Sequence, residues 1–125
     1  EGDFARHGAV AAERLRVLGL PAAAVHAVAA HNPDTGVAAT GRIDIGLIAA
    51  DQLSGLVTAA ALVRPDKDLA GVKPKSVRKR YREGAFARGV DRAAIARCEE
   101  LGLELDDFLG LGLVAMQGIA ADLGL

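Results

Sequence analysis

A chain of 125 residues is long enough for a compact domain with its own core, and 51% hydrophobic residues exclude a disordered polymer. Fifteen basic against sixteen acidic residues leave a formal net charge of -1, so overall charge gives no reason to expect a nucleic-acid or membrane partner. The one cysteine, Cys98, excludes an intrachain disulfide and suits a reducing compartment, so a cytoplasmic setting is expected.

Aromatic residues make up only 3%, so the core must be built from Ala, Leu, Val and Ile, which favours closely packed helices. The chain opens at Glu1-Gly2-Asp3 without an initiator Met and is expected to be a piece of something longer. Asp3 is placed to cap a first helix over 4–18. Val10, Ala11, Leu15 and Leu18 form its apolar face, and His7 lies on that face. Gly19 ends this helix, and Pro21 suits the first turn of a second over 21–31. Ala24, Val28 and His31 share one side of the second helix, while His26 points elsewhere. The run Asn32-Pro33-Asp34-Thr35-Gly36 stops it.

The long apolar stretch 43–64 reads as a third helix with Asp51 at its centre, and Asp44 near its start suits the helix dipole. Asp51, Gln52 and Ser54 interrupt it, so it is not read as membrane-spanning. Gly55, one turn from Asp51, is a candidate for close approach by another helix or a ligand. A basic segment follows over 65–92, with Ser76 as the expected cap of a short helix over 77–86 and a turn at 87–90. Asp91 caps a fifth helix that Gly102 ends. A last helix covers 107–123, with Phe108, Leu111, Ala115 and Ile119 as its apolar positions. The reading is all-α, one domain over 1–125, about six helices.

Three residues are candidates for chemistry. An ionised carboxylate out of water needs a cation, a metal or hydrogen bonds to offset the cost, and Asp51 sits mid-helix in apolar surroundings. His7 and His31 are placed to meet it if the first three helices pack side by side. Imidazole nitrogens with a carboxylate suit Zn, Mn, Fe, Co or Ni. Spacings of 24 and 20 residues contain no short-range metal motif, so from the residues alone a hydrogen-bonded polar cluster remains the competing reading.

The stretches RHGAVAAERLRVLGLP, VHAVAAHN and AADQLSGLVTAAALVRP resemble the bacterial HD-domain (HDIG-type) metal-dependent phosphohydrolases. The resemblance continues through KPKSVRKRYREGAFARGVDR, CEELGLELDDFLGL and AMQGIAADLGL, and so covers essentially the whole chain. It implies an HD-domain-like helical bundle, a divalent metal (Mn, Fe, Mg, Zn, Co or Ni) and a small phosphorylated substrate such as a nucleotide. It makes Asp51 the final Asp of the metal set and matches His7 and His31 to the two intermediate histidines. The family's first His and its His-Asp doublet have no counterpart, since no His-Asp dipeptide occurs in the 125 residues. The resemblance therefore implies a phosphohydrolase parent and weak or no activity for this chain alone. It also implies helix faces left without partners, and so a homo-oligomer.

The segment 67–92 holds nine basic residues against Asp68, Glu83 and Asp91. Lys75, Ser76 and Arg80 are the picks for a substrate phosphate. A solvated face is the plainer reading, and a nucleic-acid backbone the least favoured one, since Tyr81 alone offers little for base stacking. Two further readings stay open for the chain, a helical binding or oligomerisation module and a nucleic-acid binder. Cys98 reads as a buried structural thiol.

Overall fold

The structure, a computed structural model, describes residues 6–125. The expected Asp3 cap and the start of the first helix at Phe4 lie outside the described residues. Seven α-helices run in order: α1 His7–Val17, α2 Ala22–Ala30, α3 Arg42–Leu62, α4 Pro74–Arg82, α5 Arg92–Ala96, α6 Leu105–Gly118 and α7 Ala120–Leu123. Short 3-10 turns cover Pro33–Thr35, Leu69–Gly71 and Arg97–Leu101, and no strand occurs among the described residues. The chain is all-α. Its contacts group it into two compact units, Glu1–Ile48 and Ala49–Leu125.

In the first unit α1 ends on Gly19 at φ +83°. Leu20 N–H donates to Leu15 O at 3.1 Å and Gly19 N–H to Arg16 O at 3.1 Å, which satisfies two terminal carbonyls. Pro21 stands just before α2 rather than inside its first turn, with ψ 142°. The packed side of α1 differs from the expected one. Val10 and Leu18 are 48% and 75% exposed, while Gly8 and Ala12 are buried. The reason is steric. A Cβ on Gly8 would lie 3.1 Å from Thr35 Cγ2 and 3.3 Å from Val28 O, so the smallest residues mark the line of closest approach to α2. Ala27 and Ala30 bury the facing side of α2. Asp44, in the first turn of α3, accepts from Thr40 N at 2.9 Å and Gly41 N at 2.8 Å, closing that helix start.

In the second unit, Leu53, Leu56, Val57, Ala60 and Ala61 of α3 join Leu69, Val72, Val77, Ile95, Cys98, Phe108, Leu109 and Leu113 in one core. By length and composition α3 is the one helix among the described residues able to cross a membrane, and a third of that apolar stretch is buried. Helix α4 begins earlier than expected. Pro74 takes its first position after Lys73, so Ser76 lies inside the first turn instead of capping it. Asp91 caps α5 as expected, accepting from Ala94 N at 3.0 Å. The last helix breaks at Ile119 into α6 and α7. Its buried side is Phe108, Leu109 and Leu113, not the Leu111–Ile119 line, and Leu111 and Ile119 are 59% and 49% exposed. Gly112 decides this rotation. Its Cα sits against the δ-methyl of Leu53, where a Cβ would overlap.

Candidate functional site

Helix α1 carries His7 in its first turn, and His31 follows the last residue of α2, so the two imidazoles meet at one end of the first unit. Their Nε2 atoms are 3.2 Å apart, with the rings edge to face at 70°. His31 Nδ1–H donates to Val28 O at 2.6 Å, a bond that leaves the Nε2 lone pair of a neutral ring available. Asn32, 6% exposed, donates from Nδ2 to His7 Nδ1 at 3.2 Å, while its Oδ1 accepts from Asp34 N at 3.0 Å. An amide nitrogen can only donate, so His7 Nδ1 is the acceptor in this contact.

The pair has the spacing of two ligands of one metal. Imidazole nitrogens each about 2.1 Å from a common ion lie roughly 3.0–3.4 Å apart across a right or tetrahedral angle. A ligating histidine that donates its other N–H to a backbone carbonyl, as His31 does, is the usual supporting arrangement. For both Nε2 atoms to face an ion, the hydrogen bond between them would have to open. Among the described residues no group of three or more His, Cys, Asp or Glu side chains is placed to hold an ion.

Asp51 belongs to the second unit and is exposed. Its Oδ2 accepts from Gln52 Nε2 at 3.2 Å. The desolvation cost that singled it out in the sequence does not arise, because a solvated carboxylate needs no buried partner. A Cβ at Gly55 would meet Val90 Cγ2 at an ordinary 3.5 Å, so no unusually close approach occurs there.

The buried carboxylate of the first unit is Asp44, 2% exposed. His26 Nδ1–H donates to it at 2.9 Å. That bond, followed by those from the Gly41 and Thr40 amides, outweighs burial and lowers the Asp44 carboxyl to about 2. His26 is a boundary residue, as its spacing suggested, with a side chain 44% exposed. Its pairing with Asp44 was not visible in the sequence, because the partners are 18 residues apart.

The phosphate picks are separated. Ser76 and Arg80 line a cavity of about 220 Å³ together with Arg64, a residue the sequence reading did not single out. Lys75 lines a shallower cleft of about 490 Å³ with Arg78, Lys79 and Arg82. Arg80 is already engaged, with Nη1 donating to Glu83 Oε2 at 2.8 Å and its guanidinium 4.5 Å from the Phe86 ring centre. Arg64 forks onto Asp66 and donates from Nη1 to Gly71 O at 3.0 Å. Arg92 is structural. It donates to the carbonyls of Tyr81, Ala87, Val90, Glu83 and Phe86, and Tyr81 OH donates back to Arg92 O at 3.1 Å. Cys98 is fully buried, and burial pushes its thiol pKa up, away from nucleophile chemistry.

No family model matches the chain, and neither curated proteins nor solved structures gave a match.

Proposed function

We propose that the chain supplies part of the site of an HD-type metal-dependent phosphohydrolase acting on a phosphate ester or nucleotide. One observation carries the reading. Two histidines 24 residues apart hold their Nε2 atoms at metal-ligand spacing, at the positions the family resemblance assigns to its intermediate histidines. His7 and His31 are the ligands the first unit supplies in this reading, and the ion is Mn, Fe, Mg, Zn, Co or Ni. A divalent ion bound there supplies Lewis acidity toward a phosphoryl oxygen and acidifies a bound water. His31 is held in a ligating tautomer by Val28 O. Ser76 offers a hydroxyl, and Arg80 and Arg64 offer the N–H groups not taken by Glu83, Asp66 and Gly71, to phosphate oxygens. No His-Asp doublet occurs in the 125 residues, so turnover by this chain alone is expected to be low.

Elemental analysis of the purified chain beside His31→Ala tests the reading. Transition metal bound to the parent chain and lost in the variant supports it. Equal metal content in both, or none in either at saturating supply, removes it.

A helical assembly module is the second reading. Leu111, Val114, Ile119 and Leu123, 44–64% exposed, favour it. It predicts a homo-oligomer by sedimentation at tens of micromolar, and a stable monomer there counts against it.

A further inference from the structure

The first unit holds a second arrangement of imidazole and carboxylate, apart from the histidine pair. His26 of α2 meets Asp44 in the first turn of α3. Both Asp44 oxygens are engaged. Oδ1 accepts from His26 Nδ1 at 2.9 Å, and Oδ2 accepts from the Thr40 and Gly41 amides at 2.9 and 2.8 Å. A carboxyl lowered to about 2 is ionised at neutral pH and can only accept, so the proton in the bond to His26 belongs to Nδ1. A neutral His26 ring therefore carries its lone pair on Nε2. With Nδ1 turned onto a carboxylate that is 3% exposed, the opposite edge of the ring accounts for a side chain 44% exposed. His26 lines a cleft of about 440 Å³ together with Ala23, Thr40, Gly41, Arg42 and Ile43. His7 and His31, by contrast, turn their Nε2 atoms on each other.

We propose that His26 Nε2 is a nucleophile that accepts a phosphoryl group from an activated phosphoryl donor, with Asp44 as its positioning residue. A nucleophilic ring needs one nitrogen held by a third group, so that the other is aimed outward with its lone pair. The pair supplies this. The class of electrophile follows from what the cleft offers. Acyl transfer calls for N–H groups aimed at a developing oxyanion, and the Thr40 and Gly41 amides in this wall already serve Asp44. Phosphoryl transfer passes through a loose transition state and asks mainly for an aligned nucleophile and positive charge, and Arg42 brings a cation to the same wall.

In the step, the Nε2 lone pair forms an N–P bond. The bond from phosphorus to the leaving group breaks, and its electron pair departs with that group. Nothing is oxidised or reduced. The Nδ1 proton stays on the ring, which becomes a cation facing the ionised Asp44, so the carboxylate stabilises the product as well as orienting the nucleophile. The step runs through His26 and does not rest on the reading of His7 and His31.

The experiment treats the 125-residue chain with potassium phosphoramidate at neutral pH in the presence of EDTA. With this donor the P–N bond breaks and ammonia leaves. Phosphorus-31 NMR and peptide mass spectrometry follow which histidine, and which ring nitrogen, takes the phosphoryl group. The parent chain is compared with His26→Gln, with Asp44→Asn and with the parent unfolded in urea. His26 Nε2 is expected to label about tenfold or more faster than His7, His31 or His26 of the unfolded chain, the factor one charge-assisted hydrogen bond supplies. His26→Gln removes the fast phase, and Asp44→Asn slows it toward the unfolded rate with helix content kept by circular dichroism. Equal rates at the three histidines, attachment at His26 Nδ1, or a folded rate no greater than the unfolded one overturns the proposal. A folded Asp44→Asn chain that labels as fast as the parent overturns the role of Asp44. If that variant loses its helices, the ratio of folded to unfolded rates in the parent chain decides alone.

Discussion

The two units are held together by different means. The first, Glu1–Ile48, buries mostly alanine and glycine, and its specific contacts are polar: His7 with His31 and Asn32, and His26 with Asp44 and two amides. The second, Ala49–Leu125, buries a continuous set of leucine, valine and isoleucine side chains, and one guanidinium, Arg92, ties its turn together. Apolar burial is non-directional and scales with area, whereas hydrogen-bond networks fail as units when one member is removed. The second unit is therefore the better scaffold. The first is the better place to hold imidazoles in chosen orientations.

The largest effect tests the guanidinium. Arg92→Ala strands carbonyls in the turn over 81–90, and with charge-assisted bonds contributing about 1.5–3 kcal/mol each it is expected to cost about 3 kcal/mol in urea unfolding. Arg92→Lys recovers less than half of this, because an ammonium lacks the planar fork. A loss below about 0.5 kcal/mol shows that water replaces the guanidinium and that the tie is incidental.

Gly112→Ala comes next. Leu53 is 2% exposed and cannot swing away from an added methyl, so overpacking costs about 2 kcal/mol. Leu53→Ala in the same chain should absorb part of that cost, visible as a coupling in a double-mutant cycle. Additive losses indicate that the two residues do not compete for space.

In the first unit, the Asp44 carboxyl is lowered to about 2 from an ordinary 3.8. A depressed carboxyl contributes stability that is present above the ordinary value and lost as pH falls toward the folded one. The contribution is on the order of 2 kcal/mol, disappearing between about pH 4 and pH 2. Asp44→Asn removes that dependence. Parallel acid-unfolding curves for the parent chain and the variant contradict the pairing with His26 and the two amides.

The smallest effect is Gly8→Ala, at about 1 kcal/mol, because the helix gains propensity while Asn32 and Thr35 yield by a few tenths of an ångström. Its sharper readout is the His7 imidazole resonance, which shifts as Asn32 moves. An unchanged resonance separates the α1 contact from the histidine chain.

Local signals were legible. Gly19, Gly102, Pro33 and Asp91 mark helix ends because capping depends on a few consecutive residues. His7 and His31 were expected to meet, with Asp51, if the first three helices packed side by side, and the two imidazoles do lie together. Asp51 was expected to be buried and is solvated, since a mid-helix position fixes an angle around the axis but not what covers it. Asn32 was read only as part of a helix stop, and Arg92 only as one charge among nine. Their roles come from partners brought near by folding.

The amino-acid sequence by itself determined an all-helical chain and most of its helix ends, because propensity, caps and helical period act over a few residues. Tertiary structure alone decided which faces of α1 and α6 are buried, which carboxylate is desolvated, and that His7 meets His31. Those outcomes depend on distances of a few ångströms between atoms far apart along the chain, where a glycine's missing Cβ or an amide's fixed donor settles the geometry.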